Sequence, residues 1–526
     1  MKKGIDFPVI IGTRGSELAL WQANFTKSVL EKSGFWVELK IIKTKGDNTQ
    51  QWNLSFNKME GKGFFTKELE DALLANEIDL AVHSCKDLPT EYPKGLTIAA
   101  YSKRANPFDI LLIRKESVDE TKQLKLKEHA VVGTSSSRRK AQLLAFRPDI
   151  ELQDLRGNVP TRVKKLTEEN YDAIVLAFAG LERLQIDLSA FEKVALKAPM
   201  FIPAPAQGVL AFQIREEDTA LKNICELLND EASSEIASIE RQLLHDFEGG
   251  CQMPLGVFAE KSGDKIDIWI SQASAWNTFP KRLHVTINEP VSDFNSAAIV
   301  KQLRNAKPTS VFISSDLKDH EYLIRSLTEQ YYTVICQSFI EFKALEFSIP
   351  NDVNWLFFSS KNGVKFFFND AIQQFSNTTI KLAAINQGTA LAIYELGLPV
   401  DFIGQGNDLQ KKAKDFDEIA FGKIVFPQAK KSMQSIQKNL TKNKDIESLI
   451  VYENLPMQNI EKQDAAILIF TSPMSVEAYF SKFKLEQYQQ VISIGKTTSK
   501  KLQDFEVKNI KTAFEPSYWS VLDEII

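Results

Sequence analysis

The stretch HAVVGTSSSRRKAQLL, residues 129–144, carries three signals in sixteen positions. An apolar run with the composition of a buried strand stops at Gly133. A Thr/Ser turn follows, and then a helix start bearing Arg138 and Arg139. A helix N-terminus offers free N–H groups and the positive end of a dipole, so it favours anions. Arginine adds a planar fork suited to carboxylate or phosphate. One such motif is weak evidence, because Ser and Thr cap helices of every kind and adjacent arginines are ordinarily surface charges. The layout recurs, however, in GTRGSELAL (12–20), with Arg14 and Ser16, and in LRGNVPTRVKKL (155–166), with Arg156 and Arg162. Three strand–turn–helix units with arginine predict α/β lobes and a polyanionic ligand in a cleft between them.

Reading outward, short apolar runs alternate with amphipathic segments, the pattern of α/β folds. FPVIIGT precedes SELALWQANFTKSVLEKSG, which predicts a helix ending near Gly34. IDLAVHS and YDAIVLAFAG read as further buried strands. KIDIWISQASAWN and KRLHVTI, around residues 265–286, predict a hairpin, and SAAIVKQLRNA a helix. KPTS, residues 307–310, marks a break. The second half then echoes itself. LFFSSKNGVKFFF (356–368) resembles LIFTSPMSVEAYF (468–480), and AAINQGTALAI (383–393) resembles ISIGKTTSKKL (492–502). The echo predicts two similar α/β lobes.

A length of 526 residues allows roughly three or four domains. Apolar content of 44% and charged content of 25% are those of a soluble globular protein. A net charge of −4 argues against general affinity for nucleic acid or membrane. The four cysteines, Cys85, Cys225, Cys251 and Cys336, form no CxxC pair, so neither a disulfide framework nor a metal site is expected. The start MKKGIDFPVIIGTRG is too weakly apolar for a signal peptide, and AIVLAFAGL is far short of a membrane span. The expectation is a cytoplasmic protein with reduced thiols.

Three further stretches carry candidate chemistry. In DLAVHSCKDLPTEYP (79–93) an apolar run ends at Lys86 and Asp87. Ligands of open α/β sheets bind beyond the carboxyl ends of strands, which puts Asp87 at a reaction centre, unless it simply caps the turn before Pro89. The long polar segment 46–70 closes on Gly61, Lys62 and Gly63 and suggests a lid. In FEGGCQMPLG (247–256), Gly249 and Gly250 leave the sulfur of Cys251 uncrowded. The plain alternative is a small buried thiol.

Together these motifs resemble porphobilinogen deaminase (hydroxymethylbilane synthase) over about residues 8–260. Besides the stretches quoted, GKGFFTKELEDALL, PAPAQGVLAFQIR and EGGCQMPLG carry the resemblance. It implies two related lobes like those of periplasmic binding proteins, 1–101 with 198–220 and 102–197, and a small α/β lobe, 221–306. It implies a dipyrromethane cofactor joined to Cys251 through a thioether. On that arm four porphobilinogen units are added with loss of ammonia, and hydrolysis releases hydroxymethylbilane. Each pyrrole carries two carboxylates, which suits the arginine supply. By the same resemblance Asp87 is the catalytic carboxylate. Lys86, Thr134, Ser136, Arg138 and Arg139 hold the cofactor. Arg14, Ser16, Arg156, Arg162 and Arg183 bind substrate carboxylates, with Lys62 and Phe65 at the lid end and Gln207 at the lobe hinge. The chain departs from the family at Cys85 (often Met), Ala206 (usually Gly) and Gln213 (commonly Glu).

Residues 308–526 resemble uroporphyrinogen-III synthase, through the echoing stretches and LIVYENLP. That family is a two-lobed α/β fold that closes hydroxymethylbilane while inverting its last pyrrole. Tyr452 matches a tyrosine linked to loss of the terminal hydroxyl. Ser359, Ser360, Thr389, Ser472, Thr497 and Thr498 are turn groups able to bind carboxylates or to cap helices. Asn386 replaces a usual Gly, as a left-handed backbone would allow. The combined expectation is a bifunctional, monomeric enzyme of tetrapyrrole synthesis acting on porphobilinogen and hydroxymethylbilane, with no metal. The alternatives are an active deaminase with a non-catalytic C-terminal partner, and a solute-binding lobe pair fused to a regulatory unit. The absent signal peptide, Asp87 and the EGGCQ turn speak against the latter.

Overall fold

A computed structural model describes residues 8–44, 66–168, 170–248, 253–288, 294–318, 321–371, 379–406, 408–441 and 444–526. The first sheet runs, edge to edge, Val37–Ile41, Val9–Thr13, Leu80–Ser84, Leu210–Arg215, Leu96–Tyr101. The second runs Glu151–Gln153, Val131–Gly133, Ala173–Ala177, Asp109–Arg114, Phe191–Leu196. In both, three parallel strands are followed by one antiparallel strand and a closing edge strand. One arrangement is thus used twice, with two chain crossings between the lobes. Strands covered on both faces read as unbroken apolar runs, and Ile11, Leu80, Leu111 and Ile174 are fully buried.

A three-stranded antiparallel sheet, Leu255–Ser262, Lys265–Gln272 and Lys281–Asn288, forms the third lobe with helices Glu231–Asp246 and Ser296–Asn305. The boundary expected at residue 221 shifts. Leu221, Ile224, Cys225 and Leu228 belong to the first lobe's core beside Leu30 and Phe212, because the Thr219–Cys225 helix turns its apolar side onto that sheet. The next helix starts at Asp230, whose carboxylate accepts from the Ser233 N–H at 2.9 Å.

The second half holds two more sheets. One runs Thr333–Cys336, Ser310–Ile313, Ile467–Phe470, Gln490–Ser493, Lys511–Thr512, all parallel. The other runs Ile340–Ala344, Asp445–Pro456, Lys423–Ala429, Val353–Phe358, Lys381–Ala384, Phe402–Ile403. The sequence echo has a structural basis. The strand–helix pair ending in Lys361–Ala371 in one lobe corresponds to the pair ending in Pro473–Phe480 in the other. The two chain crossings pair antiparallel, with Ile340 opposite Pro456 and Ala344 opposite Tyr452. No helix among the described residues is long and apolar enough to cross a membrane.

Candidate active site

The three arginine-bearing turns form as helix starts. Ser16 accepts from the Ala19 N–H, Ser136 from Arg139 and Asn158 from Thr161. Capping satisfies one orphan donor at each helix start. Thr134, 2% exposed, accepts the Ser136 N–H at 3.3 Å and stiffens the second turn.

A cleft of about 90 Å³ lies between the first two lobes. Lys86, Arg139, Arg162 and Arg183 line it together with Ser84 and Gln207, and its lining contains no carboxylate. Burial, the largest influence, lowers the Lys86 ammonium to about 8; Asp87 opposes the shift and Arg139 adds to it. Burial also lowers Arg162 and Arg183 to about 10, which leaves both charged near neutrality. Arg183 donates to the Gly208 carbonyl at 2.8 Å and lies over the Trp21 ring at 5.6 Å. Arg162 donates to the Gly157 carbonyl at 2.8 Å.

Asp87 closes the short Cys85–Asp87 turn that follows the Leu80–Ser84 strand. It is exposed, and its charge acts on both Lys86 and Arg162. Arg14, Ser16, Thr134, Ser136, Arg138 and Arg156 are not among the residues lining the cleft. Arg156 sits 4.0 Å from Asp154. Lys62, Phe65 and Cys251 lie outside the described residues.

Arg138 and Arg139 are not surface charges; they are 5% and 6% exposed. Both pair with Asp109, at 2.8 Å and 2.7 Å. Burial alone would raise the Asp109 carboxyl, but the two arginines outweigh it and hold it well below the usual carboxylate range. Arg138 also donates to the Ile202 carbonyl at 2.9 Å and so points away from the cleft, whereas Arg139 reaches it. Gln207 joins the parts. Its amide nitrogen donates to Asp109 at 3.0 Å and to the Pro107 carbonyl, and its oxygen accepts from Lys86 at 3.1 Å.

Sequence reading missed Asp109, although a carboxylate at the head of the apolar strand DILLIR is a usable signal for a buried ion pair. It also missed Glu240. This fully buried residue takes Arg104 at 2.8 Å and the Ala206 N–H at 2.6 Å, fastening the third lobe to the hinge. At that hinge Ala206 has φ 55° and Gly208 φ 94°. A Cβ on Gly208 would stand 2.6 Å from the Ala105 carbonyl oxygen. A glycine at 206 would suit the left-handed backbone, and alanine carries the strain there. The other departures also have local reasons. Gln213 bridges His83 at 3.0 Å and Glu70 at 3.2 Å, where a second carboxylate would face Glu70. Cys85 is buried, and burial pushes its thiol up to about 11.

These motifs agree with known proteins over most of the chain. Residues 9–223 match the family model described as porphobilinogen deaminase, dipyromethane cofactor binding domain, and 235–273 match porphobilinogen deaminase, C-terminal domain. The porphobilinogen deaminase of Nitratiruptor sp. is 48% identical over 250 residues, 47% of this chain and 77% of the relative. The chain belongs to the porphobilinogen deaminase family. A probable porphobilinogen deaminase of Methanococcoides burtonii is 40% identical over 294 residues, 55% of this chain and 91% of the relative. Residues 321–522 match the family model for uroporphyrinogen-III synthase HemD. A uroporphyrinogen-III synthetase structure from Helicobacter pylori aligns with 41% of this chain and 97% of its own, at 22% identity and a TM-score of 0.32. The chain is therefore a porphobilinogen deaminase joined to a HemD-type synthase, a bifunctional enzyme of tetrapyrrole biosynthesis that uses a dipyrromethane cofactor.

In the synthase half, Tyr452 is 5% exposed, with its hydroxyl 3.3 Å from Ser360 Oγ and its ring stacked on Phe366 at 5.0 Å. Burial raises its phenol, so it keeps its proton and can donate it. The hydroxyl groups divide as caps: Ser360 takes the Gly363 N–H, and Ser472 and Ser475 form a capping box. Asn386 corrects the left-handed expectation. Its φ is −160°, an extended backbone open to any residue, and its side chain caps the Gln387–Tyr394 helix at Thr389. The equivalent Gly495, φ 175°, lacks a capping side chain.

Proposed function

We propose that the cation-lined cleft holds the chain of pyrroles during assembly and that Cys251 anchors it. The observation that carries the reading is the lining itself: four cations converge, of which Arg139 is paired with Asp109 behind it, and the lining contains no carboxylate. A dipyrromethane bears carboxylates along its length, so this donor set fits it. When bound, it supplies the pyrrole carbon to which the first porphobilinogen is joined. Lys86 and Arg139 hold its carboxylates directly. Thr134, Ser136 and Arg138 fix the turn that presents Arg139. Arg162 and Arg183 receive incoming carboxylates together with Arg14, Ser16 and Arg156, Lys62 and Phe65 are further substrate contacts, and Gln207 is the hinge. Asp87, on the rim beside Lys86, stabilises positive charge as ammonia departs and takes the pyrrole proton.

Lys86 gives this reading a pH signature. Its ammonium is protonated below about 8 and neutral above. Carboxylate retention therefore weakens as pH rises through that value. The linked stability term has the opposite sign. Between about 8 and the ordinary lysine value of 10.5 the unfolded chain binds more protons, so stability rises with pH there. The rate at which cofactor-free protein loads from porphobilinogen should fall above about pH 8, and Lys86→Met should load slowly at every pH. A wild-type rate flat through pH 9 would remove Lys86 from the cofactor's contacts.

Tyr452 serves as the acid that helps the terminal hydroxyl leave hydroxymethylbilane. The experiment is product analysis. The full chain with porphobilinogen should give mainly uroporphyrinogen III. Tyr452→Phe should shift product toward the type I ring without slowing porphobilinogen use. Only type I from the wild-type chain would make the second half a non-catalytic partner. The chain is read as a monomer of the cytoplasm, a compartment in which the free thiols Cys85, Cys225 and Cys336 persist.

A further inference from the structure

The two halves meet through the C-terminal helix Tyr518–Asp523. Arg282 of the third lobe is 1% exposed, and its guanidinium meets Asp523 at 2.7 and 3.1 Å. The same guanidinium donates to the carbonyls of Pro199 and Met200, on the segment that crosses from the second lobe back to the first. Three residues on, the Ile202 carbonyl receives Arg138 and Gln142, both at 2.9 Å. Gly256 packs against that carbonyl so closely that a Cβ would stand 2.7 Å from its oxygen. Arg138 then reaches Asp109, Asp109 accepts from Gln207, and Gln207 in turn accepts from Lys86. Aromatic contacts seal the junction: Phe146 stacks on Tyr322 at 4.5 Å and Trp269 meets Phe514 at 4.9 Å. His284 is held between Asp267 and Glu524, 3.0 Å from each.

We propose that the synthase half is a working part of the deaminase: Asp523 neutralises Arg282, and Arg282 fixes the 199–202 crossing that aims the cofactor-binding arginines. The physical ground is a buried cation whose counter-charge comes from the other half, 241 residues away in sequence. Breaking a buried pair from one side leaves a charge without compensation, whereas replacing both partners by apolar groups of similar volume is often neutral. The surface around Arg282 therefore fits one partner, the chain's own C-terminal helix. A deaminase half cut off after Lys307 would lose both the counter-charge of Arg282 and the helix that covers it.

The test uses full-length variants below their melting temperatures. Asp523→Asn should raise the KM for porphobilinogen and lower the cofactor-bound fraction by about tenfold, with faster hydrogen exchange at the Ile202 amide, which donates to Gln142 Oε1 at 2.7 Å. Asp523→Glu should restore all three. The double variant Arg282→Met with Asp523→Leu should recover the melting temperature but keep the raised KM, because the grip on the 199 and 200 carbonyls is gone. Wild-type loading, KM and Ile202 exchange in Asp523→Asn would overturn the proposal. So would recovery of KM along with melting temperature in the double variant, since the pair would then only glue the halves together. A wild-type chain that consumes porphobilinogen normally separates either outcome from failure of the cleft assignment.

Discussion

Asp87→Asn should lower porphobilinogen turnover by at least ~100-fold while leaving the cofactor in place. Asparagine keeps the shape of the side chain and removes its charge. The turn it closes is made by backbone, with the Leu88 N–H on the Cys85 carbonyl at 3.2 Å, so local geometry should survive. The cleft cations Lys86, Arg139, Arg162 and Arg183 are all retained, so loading should continue. The lost interaction is needed mainly when positive charge develops on the reacting pyrrole, and such a loss falls on kcat more than on KM. A second signature accompanies it. Asp87 at present supports the Lys86 ammonium against burial, so its removal should move the alkaline fall in loading to lower pH. Intact mass of the variant reports loading, and steady-state rates report turnover. A variant with normal kcat would reduce Asp87 to a turn cap. A variant without cofactor would make it a loading residue.

The parts of this site legible in the sequence are those set by local chemistry. Ser16, Ser136 and Asn158 announce helix starts because a cap needs only its own next three residues. The repeat of the synthase half is legible because each strand–helix unit solves the same packing problem. What escaped reading depends on partners far apart in the chain. Arg138 looks like surface charge until Asp109, from a neighbouring strand, lies beneath it. Gln207 is legible as a hinge residue through its motif, but its bridge between Lys86 and Asp109 is not. Arg282 and Asp523 give no periodic signal at all. At Asn386 a position usually held by glycine suggests a left-handed backbone, whereas the turn needs only a capping side chain.

Cys251→Ser should abolish the covalent cofactor and, with it, essentially all turnover. Thioether formation needs a thiolate-capable sulfur; a serine hydroxyl stays protonated at neutral pH and is a far weaker nucleophile. The other cysteines are poor substitutes. Burial pushes the Cys85 thiol up to about 11 and the Cys225 thiol up to about 12, and Cys336 sits in the synthase half. The intact mass of the wild-type chain should exceed the polypeptide mass by one dipyrromethane, and among serine variants of the four cysteines only Cys251→Ser should lose the excess. A second effect follows from the cleft. Without the bound carboxylates, Lys86, Arg162 and Arg183 line the cleft with only Arg139 in an ion pair, to Asp109, so the variant should melt below wild type. Added phosphate should recover part of that difference, because an anion that binds only the folded state stabilises it by mass action. A mass excess that survives Cys251→Ser would place the attachment elsewhere. Equal melting temperatures with and without cofactor would mean that Lys86, Arg162 and Arg183 are balanced by groups other than the pyrrole carboxylates.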